Sequence, residues 1–181
     1  MTMKVLAVIP ARYASSRFPG KPLAEICGKS MIRRVYEQVA SASPGKVVVA
    51  TDDKRIASHV MRFGGEAILT GSRHTNGTSR CLEAVEKLES NGLFFDIVLN
   101  IQGDEPLIQA NQIEQLVALF RQKETQIATL AHPISQPDEL FDPNTVKVVT
   151  DNAKKALYFS RQAIPFFRDQ KPETWLQHTG Y

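Results

Sequence analysis

The chain has 181 residues, of which 43% are hydrophobic and 23% charged, so it can bury the core of one domain. Its net charge of +3 is uneven, because the first 34 residues carry seven Lys or Arg against one acidic residue, Glu25. A nucleic-acid-binding protein more often has a basic stripe over a whole face, and no apolar run reaches membrane-spanning length. We therefore expect neither nucleic acid nor a membrane as a partner.

Short apolar runs alternate with helical stretches along the chain. Residues 5–9 predict a strand that ends near Pro10, because proline lacks the N–H that a sheet ladder needs. A helix is predicted around Met31–Ser41 and a strand at 46–50, followed by a helix that Thr51-Asp52-Asp53 can cap and that Gly64-Gly65 ends. Further strands are predicted at 66–70, 96–101, 127–131, 146–150 and 156–159, with helices reaching Glu89 and covering 111–122. This order predicts an α/β fold with a doubly wound, mainly parallel sheet flanked by helices.

The loop behind the first strand concentrates cations and hydroxyl groups. Arg12, Arg17 and Lys21 lie in it together with Ser15 and Ser16. In an open α/β sheet, loops at the carboxyl ends of the strands hold the ligand. A polyanion such as a triphosphate is the ligand that this loop predicts, although either serine can instead simply satisfy the turn.

Two common nucleotide motifs are absent. Gly28-Lys29-Ser30 is not a P-loop, because that pattern requires a glycine where this chain has Leu23, and no Gly-x-Gly-x-x-Gly occurs. The sequence therefore predicts a phosphate site made of side-chain cations.

A second polar loop, 102–106, follows the fourth predicted strand and contains Asp104. Mg²⁺ takes one or two carboxylates together with phosphate oxygens. Asp104 is therefore a candidate magnesium ligand opposite the basic loop, and the alternative is an ordinary turn aspartate. Gln102 stands two residues earlier and is expected to share the strand face of Asp104.

Neither cysteine has the partner spacing of a metal site. Two cysteines without a paired pattern indicate reduced thiols, so Cys27 and Cys81 are expected to be small core residues of a cytoplasmic protein. The apolar run after Lys4 is too short for a signal peptide.

Six segments carry a resemblance along nearly the whole chain: 10–23, 50–53 (ATDD), 76–80 (NGTSR), 100–106 (NIQGDEP), 146–149 (VKVV) and 156–161 (ALYFSR). Together they resemble the 3-deoxy-manno-octulosonate cytidylyltransferase family. The resemblance implies a nucleotide-diphospho-sugar transferase-like, Rossmann-like fold. It also implies that residues 1–181 are one nucleotidyltransferase domain lacking the family's C-terminal segment.

The resemblance implies a reaction of CTP with 3-deoxy-D-manno-octulosonate (Kdo), giving CMP-Kdo and pyrophosphate for lipopolysaccharide biosynthesis. It further implies Mg²⁺ as cofactor, a cytoplasmic location and a homodimer of the full-length protein. Two alternatives stay open. The chain can be a cytidylyltransferase for another sugar acid, or a catalytically incompetent CTP-binding module if it ends at Tyr181.

By the same resemblance, the catalytic residues are Arg12, Lys21 and Asp104, with Asp104 as metal ligand. The predicted substrate-binding residues are Ser15, Arg17, Asn76, Gly77, Thr78, Arg80 and Gln102. Arg80 contacts a phosphate or the sugar acid in this interpretation, and the alternative is a solvated residue in the first turn of a helix. Ser79 departs from the family, which usually has an acidic residue there, and His178 resembles the histidine of a His-x-Gly segment.

Overall fold

The computed structural model describes residues 3–14, 18–42, 44–166, 168 and 174–179. The described residues up to Gln126 form one unit, and those from Ile127 form a second. Within these ranges, no helix is long and apolar enough to cross a membrane.

The first unit alternates strands and helices. In chain order its elements are β1 (Val5–Ala11), a 3₁₀ turn (Lys21–Leu23), β2 (Glu25–Ile26), β3 (Lys29–Ser30), α1 (Met31–Ser41), β4 (Lys46–Thr51), α2 (Lys54–Arg62), β5 (Ala67–Leu69), α3 (Gly77–Glu89), β6 (Ile97–Asn100) and α4 (Ala110–Leu119). Helix α1 has the bounds predicted from the sequence.

The central sheet of this unit is parallel, with strand order β5-β4-β1-β6. The chain moves outwards from β1 to β4 and β5, and then crosses to the other side of β1 at β6. Because parallel crossovers are right-handed, this reversal places α3 on the face opposite to α1 and α2. The predicted doubly wound α/β fold is confirmed.

The strands of this sheet are buried on both faces. Leu6 and Val8 of β1 pack with Cys81 and Ala84 of α3 in a buried cluster, and burial raises the pKa of the Cys81 thiol to about 12. The alternate β1 residues face the other side, where α1 contacts β1 and β4. Cys27 differs from the prediction, because it is exposed in the turn between β2 and β3.

Side-chain caps start the helices. Ser30 accepts a hydrogen bond from the Arg33 N–H at the start of α1, and Asp53 accepts one from the Arg55 N–H at the start of α2. These bonds satisfy N–H groups that have no partner inside the helix. The cap predicted within 51–53 is therefore found at Asp53.

Strand β1 continues past its predicted end. Its pairing with β6 stops at Val8 and Asn100, whereas its ladder with β4 runs on to Ala11 and Thr51. Val8 accepts a hydrogen bond from Ile101 on the β6 side, and backbone alternation turns the nitrogen of Pro10 to that same side. The missing N–H of Pro10 therefore removes no bond from the ladder with β4.

The second unit contains β7 (Leu130–Pro133), α5 (Pro137–Phe141), β8 (Lys147–Thr150), β9 (Ala156–Ser160) and β10 (Leu176–Thr179). Its sheet is antiparallel, with order β7-β10-β8-β9, so the later predicted strands do not extend the parallel sheet. The turn between β8 and β9 explains this, because the Asp151 N–H bonds the Lys155 carbonyl at 3.0 Å and closes a hairpin. Strand β7 begins later than predicted, since Ile127 is 92% exposed.

Candidate active site

A cavity of about 630 Å³ lies at the carboxyl end of the parallel sheet, where β1 and β6 end side by side. This volume is typical of sites for small molecules. The cavity is lined by residues 10–12, 18, 21, 22, 74–77, 80 and 102–104, all in the first unit. The strand order reverses between β1 and β6, and ligands bind at that point in sheets of this kind.

Among the residues that the structure describes, three cationic side chains and one carboxylate line the cavity. The cations belong to Arg12, Lys21 and Arg80, and the carboxylate to Asp104. Lys21 Nζ lies 2.6 Å from Asp104 Oδ2, in an ion pair whose side chains are 37% and 51% exposed. The remaining positive charge makes the cavity attractive to anions. The structure thus brings the three predicted catalytic residues together.

The walls of the cavity approach each other closely at Pro10. A Cβ atom on Gly103 would lie 2.8 Å from the Pro10 carbonyl oxygen, and one on Gly77 would lie 3.1 Å from Pro10 Cγ. Glycine at both positions therefore lets the loop after β6 and the start of α3 meet the end of β1.

The start of α3 faces the cavity through Asn76 and Gly77. Asn76 Oδ1 caps the helix by accepting a hydrogen bond from the Ser79 N–H at 2.8 Å. A helix N-terminus carries a partial positive charge and favours anions. Thr78 is exposed and does not line the cavity, so among these three predicted residues only Asn76 and Gly77 face it.

Arg80 is buried, with 3% of its surface exposed. Its Nη1 donates to Thr70 Oγ1 at 2.6 Å and to the Gly71 carbonyl at 3.3 Å. The same nitrogen lies 3.3 Å from Asp52 Oδ1, outside hydrogen-bond geometry. The alternative of a solvated residue is wrong, because Arg80 joins α3 to the ends of β4 and β5 while lining the cavity.

Gln102 lines the cavity, but it does not lie on the strand face predicted for it. Strand β6 ends at Asn100, so Gln102 and Asp104 lie in the following turn and share no strand face. Both still line the cavity, because the turn folds back over the end of β1.

The predicted ligands Ser15 and Arg17 lie outside the described residues. His178 lies in β10 of the second unit, where its Nε2 is 2.8 Å from Thr129 Oγ1 and burial lowers its pKa.

The donor chemistry at Asp104 fits a magnesium ion held by one protein carboxylate. Its side chain is exposed and lines the cavity, and Mg²⁺ completes its shell with water and phosphate oxygens. Burial, and then the charge of Asp104, raise the pKa of the neighbouring Glu105, which does not line the cavity. In the part of the chain that the structure describes, no cluster of three or more His, Cys, Asp or Glu forms a site built by protein alone.

Sequence reasoning missed two sets of contacts, one at the cavity and one in the loop after β1. His74 lines the cavity and is paired with Glu83 of α3. Arg55 stacks on Tyr13, with its guanidinium carbon 3.4 Å from the ring centroid, at the base of the cationic loop. The polar loop around His74 was visible in the sequence, but its partner on α3 was not.

Comparison with known proteins finds similarity to cytidylyltransferases. The cytidylyltransferase family pattern matches residues 6–181. A 3-deoxy-manno-octulosonate cytidylyltransferase from Porphyromonas gingivalis is 50% identical, over 100% of this chain and 71% of that protein. Another from Syntrophobacter fumaroxidans is 51% identical, over 99% of this chain and 72% of that protein.

Solved structures give the same result. A structure of CMP:2-keto-3-deoxy-manno-octonic acid synthetase complexed with CTP matches with a TM-score of 0.89 at 44% identity, over 98% of this chain and 72% of that chain. A 4-diphosphocytidyl-2C-methyl-D-erythritol synthase matches with a TM-score of 0.58 at 15% identity, over 98% of this chain and 74% of that chain. The second likeness shows the fold alone.

Proposed function

The chain belongs to the 3-deoxy-manno-octulosonate cytidylyltransferase family, and from that premise we propose that it couples CTP to Kdo, giving CMP-Kdo and pyrophosphate. The product is the activated sugar acid that precedes incorporation of Kdo into lipopolysaccharide. The resemblance predicted from the sequence is confirmed, and with it the assignment as a nucleotidyltransferase.

One observation of the structure carries this proposal. Arg12, Lys21 and the start of α3 converge on one cavity with the carboxylate of Asp104. Cations and a helix N-terminus suit a triphosphate, and a carboxylate beside them suits the ion that accompanies it.

The reaction needs little covalent chemistry from the protein. A hydroxyl oxygen of Kdo attacks the α-phosphorus of CTP, the bond from that phosphorus to the bridging oxygen of the β-phosphate breaks, pyrophosphate leaves, and the hydroxyl proton passes to solvent. Negative charge develops on the α-oxygens and on the leaving group. Catalysis is therefore positioning and charge stabilisation, which is the role of Arg12 and Lys21.

Asp104 would hold Mg²⁺ through its carboxylate. The ion, when bound, supplies Lewis-acid stabilisation of the phosphate oxygens. Lys21 pairs with Asp104 at 2.6 Å, so a triphosphate would draw Lys21 to its β- and γ-phosphates and leave the carboxylate to the ion. On nucleotide binding, Lys21 would thus exchange Asp104 for the phosphates, and Asp104 would exchange Lys21 for the ion.

The remaining predicted ligands are proposed to bind substrate. Asn76, Gly77 and Gln102 line the cavity and are proposed to contact CTP or Kdo. Arg80 is proposed to supply positive charge while its Nη1 holds the wall of the site. Ser15, Arg17 and Thr78 stay predictions from the resemblance.

The assay that tests the proposal measures pyrophosphate release from CTP with Kdo and, in parallel, with N-acetylneuraminate. We expect pyrophosphate release with Kdo and none with N-acetylneuraminate. Release with N-acetylneuraminate alone would favour another sugar acid, and CTP binding without release would favour the incompetent binding module.

We also propose that the full-length protein is a cytoplasmic homodimer, as the family resemblance implies. Two thiols without a disulfide suit a reducing compartment. Sedimentation at several protein concentrations tests the dimer, and a single monomeric species at all of them would contradict it.

A further inference from the structure

We propose that Glu83 is a positioning residue for the nucleotide site, acting through His74 on the loop that forms one wall of the cavity. The inference rests on the proposed function. Glu83 itself does not line the cavity, whereas His74 and residues 75–77 do. No feature of the sequence alone joins the two side chains, which the fold brings together from the loop after β5 and from the second turn of α3.

Glu83 collects hydrogen-bond donors from three places. Its two carboxylate oxygens lie 3.1 and 2.9 Å from the Gly71 nitrogen, and Oε1 lies 2.7 Å from Lys87 Nζ. His74 Nε2 makes a short contact with Oε2. Lys87 also donates to the Leu69 carbonyl at 2.6 Å. Glu83 and Lys87 together therefore fasten the end of β5 and the following loop to α3.

The imidazole of His74 is held on both sides. Opposite Glu83, its Nδ1 lies 3.1 Å from Ser79 Oγ, also on α3. Since a carboxylate only accepts hydrogen bonds, Nε2 carries a hydrogen and donates a hydrogen bond to Glu83. The serine hydroxyl can donate to a bare Nδ1, or accept from a protonated Nδ1 while donating to the Asn76 carbonyl 3.2 Å away. The ring thus keeps both contacts in either protonation state.

The charge of Glu83 is secured by these same donors. Hydrogen bonds from Lys87, then from His74 and the Gly71 N–H, lower the pKa of Glu83 to about 2. A glutamine at this position would be nearly the same size, but its amide nitrogen would meet at least one of the three donors with hydrogens of its own. Glu83→Gln therefore breaks the attachment without removing bulk.

Loosening this attachment is expected to weaken ligand binding. His74, Thr75 and Asn76 form the wall, and Arg80 holds its far end through Gly71. A wall that must be ordered when the ligand arrives costs affinity, because the ordering free energy is subtracted from binding. The groups proposed to meet the reacting phosphates, Lys21 and Asp104, lie on the opposite loops and are untouched.

The test compares Glu83→Gln with Glu86→Gln, an exposed glutamate on the same helix that undergoes the same change of charge. We expect Glu83→Gln to raise KM for CTP roughly tenfold, which corresponds to the loss of about one charge-assisted hydrogen bond. We expect kcat to stay within about threefold of the parent, because a raised KM at nearly unchanged kcat indicates a loss of binding. Glu86→Gln should match the parent. An unchanged KM, or a fall in kcat at unchanged KM, would overturn the inference.

A second variant measures the coupling between His74 and Glu83 directly. His74→Gln retains an amide that can donate towards position 83, and in the double variant the two amides can bond each other. We expect the double variant to bind CTP no more weakly than Glu83→Gln alone, as coupled residues are non-additive. Additive losses would contradict the coupling. If the parent enzyme fails to turn over CTP and Kdo, the proposed function is wrong. If the parent is active and Glu83→Gln leaves KM for CTP unchanged, only this inference is wrong.

Discussion

At the scale of single residues, the Lys21–Asp104 pair is the centre of the site. Both side chains are substantially exposed, and exposed ion pairs contribute little to folding. Their convergence on a cavity lined by further cations suits a role in anion binding. Substitutions here should therefore change function while leaving the free energy of unfolding nearly unchanged.

Replacing the carboxylate tests its role directly. We expect Asp104→Asn to abolish Mg²⁺-dependent turnover, because the nearly isosteric amide lacks the anionic oxygen that the ion requires. Circular dichroism and thermal unfolding should match the parent. Turnover within a few-fold of the parent at saturating Mg²⁺ would remove Asp104 from the metal site.

Removing the Lys21 cation shows which phosphates of the nucleotide that side chain contacts. We expect Lys21→Ala to weaken CTP much more than CMP, by roughly tenfold to a hundredfold, the value of one charge-assisted hydrogen bond. Calorimetry with both nucleotides measures this, and Lys54→Ala, an exposed lysine at the start of α2, is the control. Equal losses for CTP and CMP would mean that Lys21 contacts the α-phosphate or only shapes the cavity.

Much of the site was predictable because its residues follow strands. The positions of Arg12, Lys21 and Asp104 at the cavity follow from the strand–loop pattern alone, since carboxyl ends of parallel strands share one edge. The burial of Arg80 and the His74–Glu83 contact were not predictable. Both depend on how α3 packs against loops distant in the chain, and no local pattern records that.

At the scale of elements, long periodic segments were predicted well and short ones were missed. Helix α1 has a buried face of Ile32, Val35 and Val39 at helical spacing, which fixes its type and bounds. Strands β2 and β3 have two residues each, too few for any period. Strand β10 was missed because its side chains are all half-buried and its register depends on partners far along the chain.

Burial of His59 on α2 makes folding stability depend on pH. His59 Nε2 of α2 lies 2.7 Å from Ser30 Oγ, the buried cap of α1. Burial, then Arg62 and Arg33, lower the pKa of His59, while Glu25 opposes them. A histidine whose folded pKa is lowered stabilises the fold when neutral. This contribution is present above its ordinary pKa of about 6.5 and is lost as the pH falls through that value.

We expect the free energy of unfolding to fall between about pH 8 and about pH 5.5 by more in the parent than in His59→Gln, where nothing titrates at this position. Urea titrations at the two pH values measure the difference. Arg62→Gln should give an intermediate slope, because burial is the larger cause. Equal slopes in the parent and in His59→Gln would show that His59 titrates alike in both states of the chain.

At the scale of the whole molecule, the parallel and antiparallel sheets fall in different units. The described residues that line the cavity all belong to the first unit, and most lie in the loops after β1, β5 and β6. The described residues of the second unit contribute none of the lining. We therefore propose that the nucleotide is recognised by the first unit.

Hydrogen exchange with and without CTP tests this assignment on the intact chain. Bound ligand suppresses local opening of the segments it contacts, and at about a hundredfold excess over Kd it stabilises the protein by about 2.7 kcal/mol. We expect added protection at Ala11 and Arg12, at 74–77 and at 102–104, with amides of β8 and β9 changing little. CMP should protect the same segments more weakly, because it lacks the phosphates proposed to meet Lys21. Protection concentrated in β8 and β9 would place the nucleotide outside the cavity and would remove the geometric basis of the proposed mechanism.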